Sequence, residues 1–402
     1  WKKAMKWSTY DLSWGRPLKL ISAMFNNKLI YFNFFHLKST NLTYGDDILE
    51  EKPMKIQNFT SYLNFLKSRD IILDHKVRKK IIFSKFNKIC KSRKFQNKFD
   101  EKLIEEVVNL VENPNIIIGK FDKIFLKIPH EILVITMQQQ QKYFPLFDQN
   151  GSLTNFFLTV SNLADKKGYI KIGNENVIKA RLTDAKFFWE KNKKQNLVKQ
   201  VGKLKNLVFF NRLGTFYDRT QRLRKLASLV SDQLNLNKEK VEIASSICKA
   251  DLVSDLVGEY PELQGVMGKY FAIEQGFAED ISFAISDHYL PTGTNSDVPK
   301  KPISAAVSVI DKTDNLVGFF GINEKPTSSK DPFALRRTAI GLLRIITENN
   351  LTIQLKDLIN YSSALYNEQN LKFSNNVVTK DVLIFLRERF KNLLKDKKIR
   401  ND

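Results

Sequence analysis

The sequence predicts an α+β chain, an N-terminal mixed α/β region followed by an all-α domain. Apolar runs in residues 1–60 and 113–162 are short and bounded by Gly, Pro, Asn and Asp, the pattern of strands and turns. Beyond residue 200 apolar residues recur instead at helical spacing, with brief Gly and Pro breaks. A length of 402 residues, 43% hydrophobic and 11% aromatic, supports more than one core.

Residues 1–60 read as mixed strands and turns, as in KLIYFNFFHL, punctuated by Gly15, Pro17, Gly45 and Pro53. The pattern turns helical over residues 61–111. Within 79–102 nine Lys or Arg residues face only Asp100 and Glu101, while Ile82, Phe86 and Ile89 form an apolar stripe. This is a basic amphipathic helix, with a charged face that is either solvated or laid on RNA. Strands return in NIIIGKF, KIFLKIP, EILVITM and KYFPLFDQNGSLTNFFLTVSN, with residues 148–151 as a hairpin turn and the glutamines 138–141 ending one strand. Gly173 and Asn174 then open a helix that turns Ile178, Leu182, Ala185 and Trp189 inward and Lys179 and Lys186 outward.

The helical remainder breaks at Gly214, 258–261, 291–293, 299–302 and 321–332. It shows no repeat at the period of roughly 20 to 50 residues that marks a solenoid. Four segments are expected: 1–112, mixed; 113–200, strand-rich with a closing helix; 201–350, helical; and 351–402, a helical lead into a further domain. The start WKKAMKWSTY, without Met, and the helical end FLRERFKNLLKDKKIRND read as a fragment of a longer protein.

The two cysteines, Cys90 and Cys248, lie far apart, and the four histidines have no metal-motif spacing; neither a disulfide framework nor a zinc site is supported. No run approaches about eighteen apolar residues and no secretory leader is visible, so a cytoplasmic chain without membrane contact is expected. The formal charge of +22 suits a polyanionic partner such as nucleic acid. It also suits an AT-rich coding sequence, because the basic residues are mostly Lys and accompany abundant Asn, Ile and Phe.

In KADLVSDLVGEYPELQGVMGKY the carboxylates Asp251, Asp255, Glu259 and Glu262 punctuate what reads as a buried helix. On one helix Ala244, Ile247, Asp251 and Asp255 share a face, which turns Asp251 inward. An inward carboxylate must be paired, protonated or bound to metal. Downstream, SDHYLP places His288 near a helix end, and VIDKTDNLVG places Asp311 on an inward helix face. This order resembles the helical HD phosphohydrolase domain in degenerate form. The His-Asp pair of that domain is Ala250-Asp251 here, and the Arg-rich helix DRTQRLRKLA lacks the earlier histidine. Two carboxylates and one histidine make a poor divalent site. The resemblance therefore implies a retained scaffold whose degenerate HD-like positions are Asp251, His288 and Asp311, with Asp251 and Asp311 in structural hydrogen bonds or ion pairs and no metal. An HD-type metal-dependent phosphohydrolase is the alternative.

A longer likeness runs through MQQQQKYFPLFDQNGSL, GNENVIKARLTDAKFFWEKNKKQNL, KADLVSDLVGEYPELQGVMGKYFA, DHYLP and PTSSKDPFALRRTAIGLLRII. In this order these blocks resemble the β subunit of the bacterial tetrameric glycyl-tRNA synthetase, from WKKAMKWSTYDLSWGRPL to about Ile346. Two departures stand out: Gln140 before QKYF replaces the family's usual His, and Thr43-Tyr44-Gly45-Asp46-Asp47 replaces its Thr-x-Gly-His-Arg. The resemblance implies an α subunit that joins glycine to ATP and passes it to tRNA. The β subunit would hold tRNA(Gly), complete an α2β2 assembly and carry a C-terminal anticodon-binding domain.

The residues agree: no GxxxxGK[ST] loop, class II-like arginine motif or activated nucleophile is present, so no catalytic residue and no cofactor is assigned to this chain. ATP and Mg would act at the α subunit. Candidate tRNA contacts are Lys171, Lys179 and Arg181 around GNENVIKARL, and Lys330, Arg336 and Arg337 in SSKDPFALRR. There Ser328 or Ser329 would precede a helix starting near Asp331-Pro332, with exposed amides for a phosphate. Local pairing of Asp331 with Arg336 or Arg337 is the structural alternative. A stand-alone RNA-binding factor is a further functional alternative.

Overall fold

The structure, a computed structural model, describes residues 3–45, 53–96, 98–293, 295–327 and 330–396. It divides into two compact units, Trp1–Leu182 and Thr183–Asp402.

The first unit begins with short strands: β1 (Ile21–Ser22), β2 (Met24–Phe25), β3 (Lys28–Leu29), β4 (Asn33–Phe34), β5 (Leu37–Thr40), β6 (Leu42–Thr43) and β7 (Met54–Lys55). β5 pairs with β1 in parallel and with β4 antiparallel, while β2–β3 and β6–β7 form separate pairs. Asn26 and Asn27 both take positive φ (46° and 62°) between β2 and β3, as a two-residue hairpin of the right twist requires. Three helices follow, α1 (Phe59–Ser68), α2 (His75–Arg93) and α3 (Glu101–Leu110). Ile82 and Phe86 of α2 are fully buried and meet Ile104 and Val108 of α3, so the apolar stripe of the basic helix faces inward.

That core continues onto an antiparallel sheet of β8 (Asn115–Lys120), β9 (Phe144–Phe147) and β10 (Leu153–Ser161), in the order β8-β10-β9. Residues 148–151 make the expected turn, with Asp148 accepting from the N–H groups of Asn150 and Ser152. Two expected strands are helical instead. KIFLKIP contains a 3-10 turn at Lys123–Lys127 capped by Asp122, and EILVITM forms α4 (His130–Ile135) behind Pro129. The chain continues as a π-helical turn, Thr136–Gln140, so most of the glutamine tract is helical rather than the end of a strand.

Helix α5 (Tyr169–Asn192) starts before Gly173, because the Asp165 carboxylate accepts from the N–H groups of Ile170 (3.1 Å) and Lys171 (2.9 Å). Its Ile178, Leu182, Ala185 and Trp189 are buried, as the spacing predicts.

The second unit is built of helices with one two-stranded ribbon. In order come α6 (Leu197–Lys203), β11 (Val208–Phe210), β12 (Gly214–Thr215), α7 (Phe216–Leu234), α8 (Lys238–Ile247), α9 (Asp255–Glu259), α10 (Val266–Glu274) and α11 (Glu279–Asp287). Then follow α12 (Pro302–Gly321), α13 (Leu335–Glu348), α14 (Leu355–Glu368) and α15 (Asn375–Asp396). Helix α12 is buried from Ile303 to Phe320 except for the half-buried Asn315, and carries Asp311, Lys312 and Asp314 into the core, with α7, α11, α13, α14 and α15 packed about it. The α+β class holds. No described helix is long and apolar enough to cross a membrane.

Two boundaries differ from expectation. KADLVSDLVGEYPELQGVMGKY is not one helix: α8 stops at Ile247, and Ala250–Val253 and Pro261–Leu263 are 3-10 turns on either side of α9. Asp251 and Asp255 therefore do not share a helix face, and Asp255 sits exposed at the start of α9 beside Lys191 (2.9 Å). Helix α13 starts at Leu335 rather than at Asp331-Pro332, since the Asp331 carboxylate accepts from the N–H groups of Leu335 (2.8 Å) and Arg336 (3.0 Å). Ser328 and Ser329, like Asp46 and Asp47, lie outside the described residues.

Candidate functional site

The sequence DRTQRLRKLA forms the first half of α7, locked at its start by Thr215 and Asp218, each accepting from the other's backbone N–H. Three residues apart on that helix, Arg219 and Arg222 point into the core, where two aspartates of α12 at the same spacing meet them. Arg222 Nε lies 2.7 Å from Asp314 Oδ1, and Arg219 lies 3.0 Å from Asp311 Oδ1 and 3.5 Å from Asp314. The Arg222 guanidinium also donates to Gln369 Oε1 (2.6 Å) and the Tyr366 hydroxyl (3.0 Å), and stacks 3.8 Å from the Tyr366 ring centre. Every charge here is buried, and each has an opposite charge in contact, as burial demands.

Lys249, just beyond α8, completes the cluster. Its ammonium is 3.2 Å from Asp311 and 2.7 Å from His288 Nε2. His288 caps α11, and its Nδ1 donates to the Ile285 carbonyl at 2.8 Å, which leaves Nε2 as the acceptor for Lys249. Burial, reinforced by Lys249, holds the imidazole well below its ordinary pKa, so it is neutral. Burial alone would raise Asp311, but Arg219 and Lys249 outweigh it and hold the carboxyl well below the usual range.

Asp251 is held differently. Its Oδ2 accepts from the N–H groups of Gly265 (2.5 Å) and Gly268 (3.0 Å), while Oδ1 is buried without a partner. A side chain at 268 would meet Ile285 at 2.5 Å and the Asp251 carboxyl at 3.1 Å, so only glycine fits there. Burial lifts Asp251 to about 6, against the pull of the two amides.

Of the three HD-like positions, His288 and Asp311 meet at Lys249, while Asp251 stands apart on its glycine amides. The donor set does not fit a divalent ion. Asp311 is already neutralised by two cations, and the free lone pair of His288 is taken by an ammonium. Among the described residues no group of three or more His, Cys, Asp and Glu could hold a metal. The sequence alone assigns no role to Arg219, Arg222 or Lys249; the matching spacing in DRTQR and DKTD is the signal that links the arginines to Asp311 and Asp314.

The basic candidates fall in two groups. On α5, Lys171 is half-buried, 3.9 Å from Glu175, while Lys179 and Arg181 are exposed. Two positions apart, Lys179 and Arg181 point to different sides of the helix and do not make one patch. Before α13, Lys330 is exposed, and Arg336 is half-buried with its guanidinium on the Thr327 carbonyl. Asp331 binds backbone N–H groups rather than pairing with either arginine. Arg337 is exposed, and no described residue pairs with it.

Among known proteins, the family described as "Glycyl-tRNA synthetase beta subunit" matches residues 1–402. The chain is 39% identical over 402 residues to the glycine–tRNA ligase beta subunit of Clostridioides difficile (strain 630), a match covering 100% of this chain and 58% of that protein. It is 38% identical over 399 residues to that of Rickettsia canadensis (strain McKiel), covering 98% and 58%. The subunit of Geobacter sulfurreducens (strain ATCC 51573 / DSM 12127 / PCA) is 38% identical over 398 residues, covering 98% and 58%. The chain thus spans 58% of the length of these relatives. With a family match from the first residue to the last, the chain belongs to the glycyl-tRNA synthetase beta subunit family.

Proposed function

We propose that this chain is part of a tRNA-holding, non-catalytic subunit of glycine–tRNA ligase. The ligase converts ATP, glycine and tRNA(Gly) into glycyl-tRNA(Gly), AMP and diphosphate in the cytoplasm. Adenylate formation and transfer, with ATP and Mg, belong to an α subunit in an α2β2 assembly. The chain's contribution is positioning, since holding the tRNA against the adenylate turns a chance encounter into an oriented reaction.

One observation carries the non-catalytic reading: the polar groups best placed for chemistry are tied to one another. Arg219 and Lys249 saturate Asp311, Lys249 occupies His288 Nε2, and Arg222 saturates Asp314. We further infer that the second unit is a degenerate HD-like domain in which the Arg219 and Lys249 cations stand in for a metal. Its support is the chain order Asp251, His288, Asp311 and the meeting of the last two at Lys249. No observation favours a phosphohydrolase.

The test combines the full-length protein with its α subunit. Glycylation of tRNA(Gly) is expected only when both are present, with normal glycylation by a mixture carrying Asp251→Asn. Full glycylation by α alone would refute the proposal, and metal-dependent release of phosphate by the purified chain would refute its non-catalytic part.

A further inference from the structure

We propose that the cavity beneath α13 seats one unpaired nucleotide of a bound RNA, with its base inside and its phosphate on Arg337. This rests on the reading that the chain binds tRNA, and it specifies where a single nucleotide goes.

The cavity has a volume of about 450 Å³ and lies wholly in the second unit, between α10, α11, α12 and α13. Ligand pockets span roughly 300–1,000 Å³, so one nucleoside is accommodated and a helix is not. Its lining includes Val266, Tyr289, Leu290 and Pro291, residues that offer a planar base apolar surface. On its α12 side lies Asn315, whose carboxamide bonds to no described residue and whose Oδ1 is buried. With Oδ1 out of reach, the carboxamide presents its Nδ2 donor to the cavity, so a ligand that brings an acceptor is selected. A ring nitrogen or carbonyl oxygen of a base supplies one.

Charge sets the rest of the ligand. Lys312 lines the cavity, but its three N–H groups donate to the His288 carbonyl (3.2 Å), the Leu290 carbonyl (2.7 Å) and Ser308 Oγ (2.9 Å). Asp311 is paired with Arg219 and Lys249. Among the described lining residues that leaves one cation for an incoming anion, Arg337, while Glu262 contributes a negative charge. One guanidinium matches one phosphodiester. A di- or triphosphate would need further cations or a metal, for which this site has no place.

The test compares a blunt RNA hairpin with the same hairpin carrying a short single-stranded 3′ extension, each titrated into full-length protein by fluorescence anisotropy. Wild type is expected to prefer the extended hairpin on the order of tenfold, the weight of one stacked base. Asn315→Leu removes the unmatched amide, and Thr338→Met puts bulk into the cavity from its half-buried rim. Each is expected to abolish the preference while leaving affinity for the blunt hairpin unchanged. If one variant fails to fold by circular dichroism, the other decides. Retention of the preference in a folded variant, or equal binding of both hairpins by wild type, overturns the cavity proposal alone. Failure of wild type to bind either hairpin overturns the tRNA-binding reading and the cavity proposal with it.

Discussion

Among single residues, Asp251 has the most informative chemistry. A carboxyl raised on folding, here from 3.8 to about 6, favours the folded state while protonated. Its contribution is full below the unfolded value and is lost as pH rises through the folded one. A tenfold change in an ionisation equilibrium is worth about 1.4 kcal/mol, so at pH 8 ionised Asp251 costs about 3 kcal/mol. Asp251→Asn keeps an oxygen for the Gly265 and Gly268 amides and removes the charge. The variant is expected to be more stable than wild type at pH 8 by up to about 3 kcal/mol, with the difference shrinking to nearly nothing at about pH 3. Urea unfolding at the two pH values reads this directly, and equal differences at both would show that charge is not what strains the site. His288 acts with the opposite sign: held neutral when folded, it loses stability for the protein as pH falls below its ordinary value. It is common to both proteins and cancels in the comparison.

At the scale of elements, the contact between α7 and α12 rests on two arginines and two aspartates, both pairs 92 residues apart in sequence. Removing Arg222 leaves the fully buried Asp314 only its 3.5 Å contact with Arg219, so Arg222→Met is expected to destabilise the chain by about 3–5 kcal/mol. Adding Asp314→Leu should recover more than half of that loss, because the second charge goes with the first. If the double variant is as unstable as the single one, packing rather than charge dominates, and chemical denaturation separates the two. This ladder shows where the sequence is legible. The i, i+3 spacing of both pairs is visible, but no sequence pattern says that two helices so far apart are neighbours. Long periodic segments fared better: α5 and the hairpin of β9 and β10 follow from their spacing and from Asp148–Gly151. EILVITM misled because a seven-residue apolar run satisfies a strand and a buried helix alike, and Pro129 decides for the helix. The break after Ile247 had no Gly or Pro to announce it; Asp251 reaching for the Gly265 amide folds the chain there.

For the whole molecule the open matter is what the formal charge of +22 does. Part of it is structural: on the basic helix Lys79 pairs with Glu105 and Lys85 is held on the Pro114 carbonyl, and beyond that helix Lys142 pairs with Glu106. Arg219, Arg222 and Lys249 are spent inside the core. On the proposed tRNA-holding reading, RNA binding draws on the remainder, and salt dependence counts the phosphates engaged, since each lost contact lowers the slope of log affinity against log salt by about 0.7 to 0.9. The segment before α13 offers a controlled comparison within a few residues. Lys330 and Arg337 are exposed, whereas the Arg336 guanidinium is fixed on the Thr327 carbonyl. Titration of tRNA(Gly) into full-length protein across a salt series should therefore show a slope reduced by about 0.7 to 0.9 in Lys330→Ala and again in Arg337→Ala. Arg336→Ala should leave the slope alone and lower thermal stability instead, because its loss frees the Thr327 turn rather than a phosphate. Equal slope changes in all three would mean that the segment acts through general charge, and no change in any would move the tRNA contact to another face of the chain.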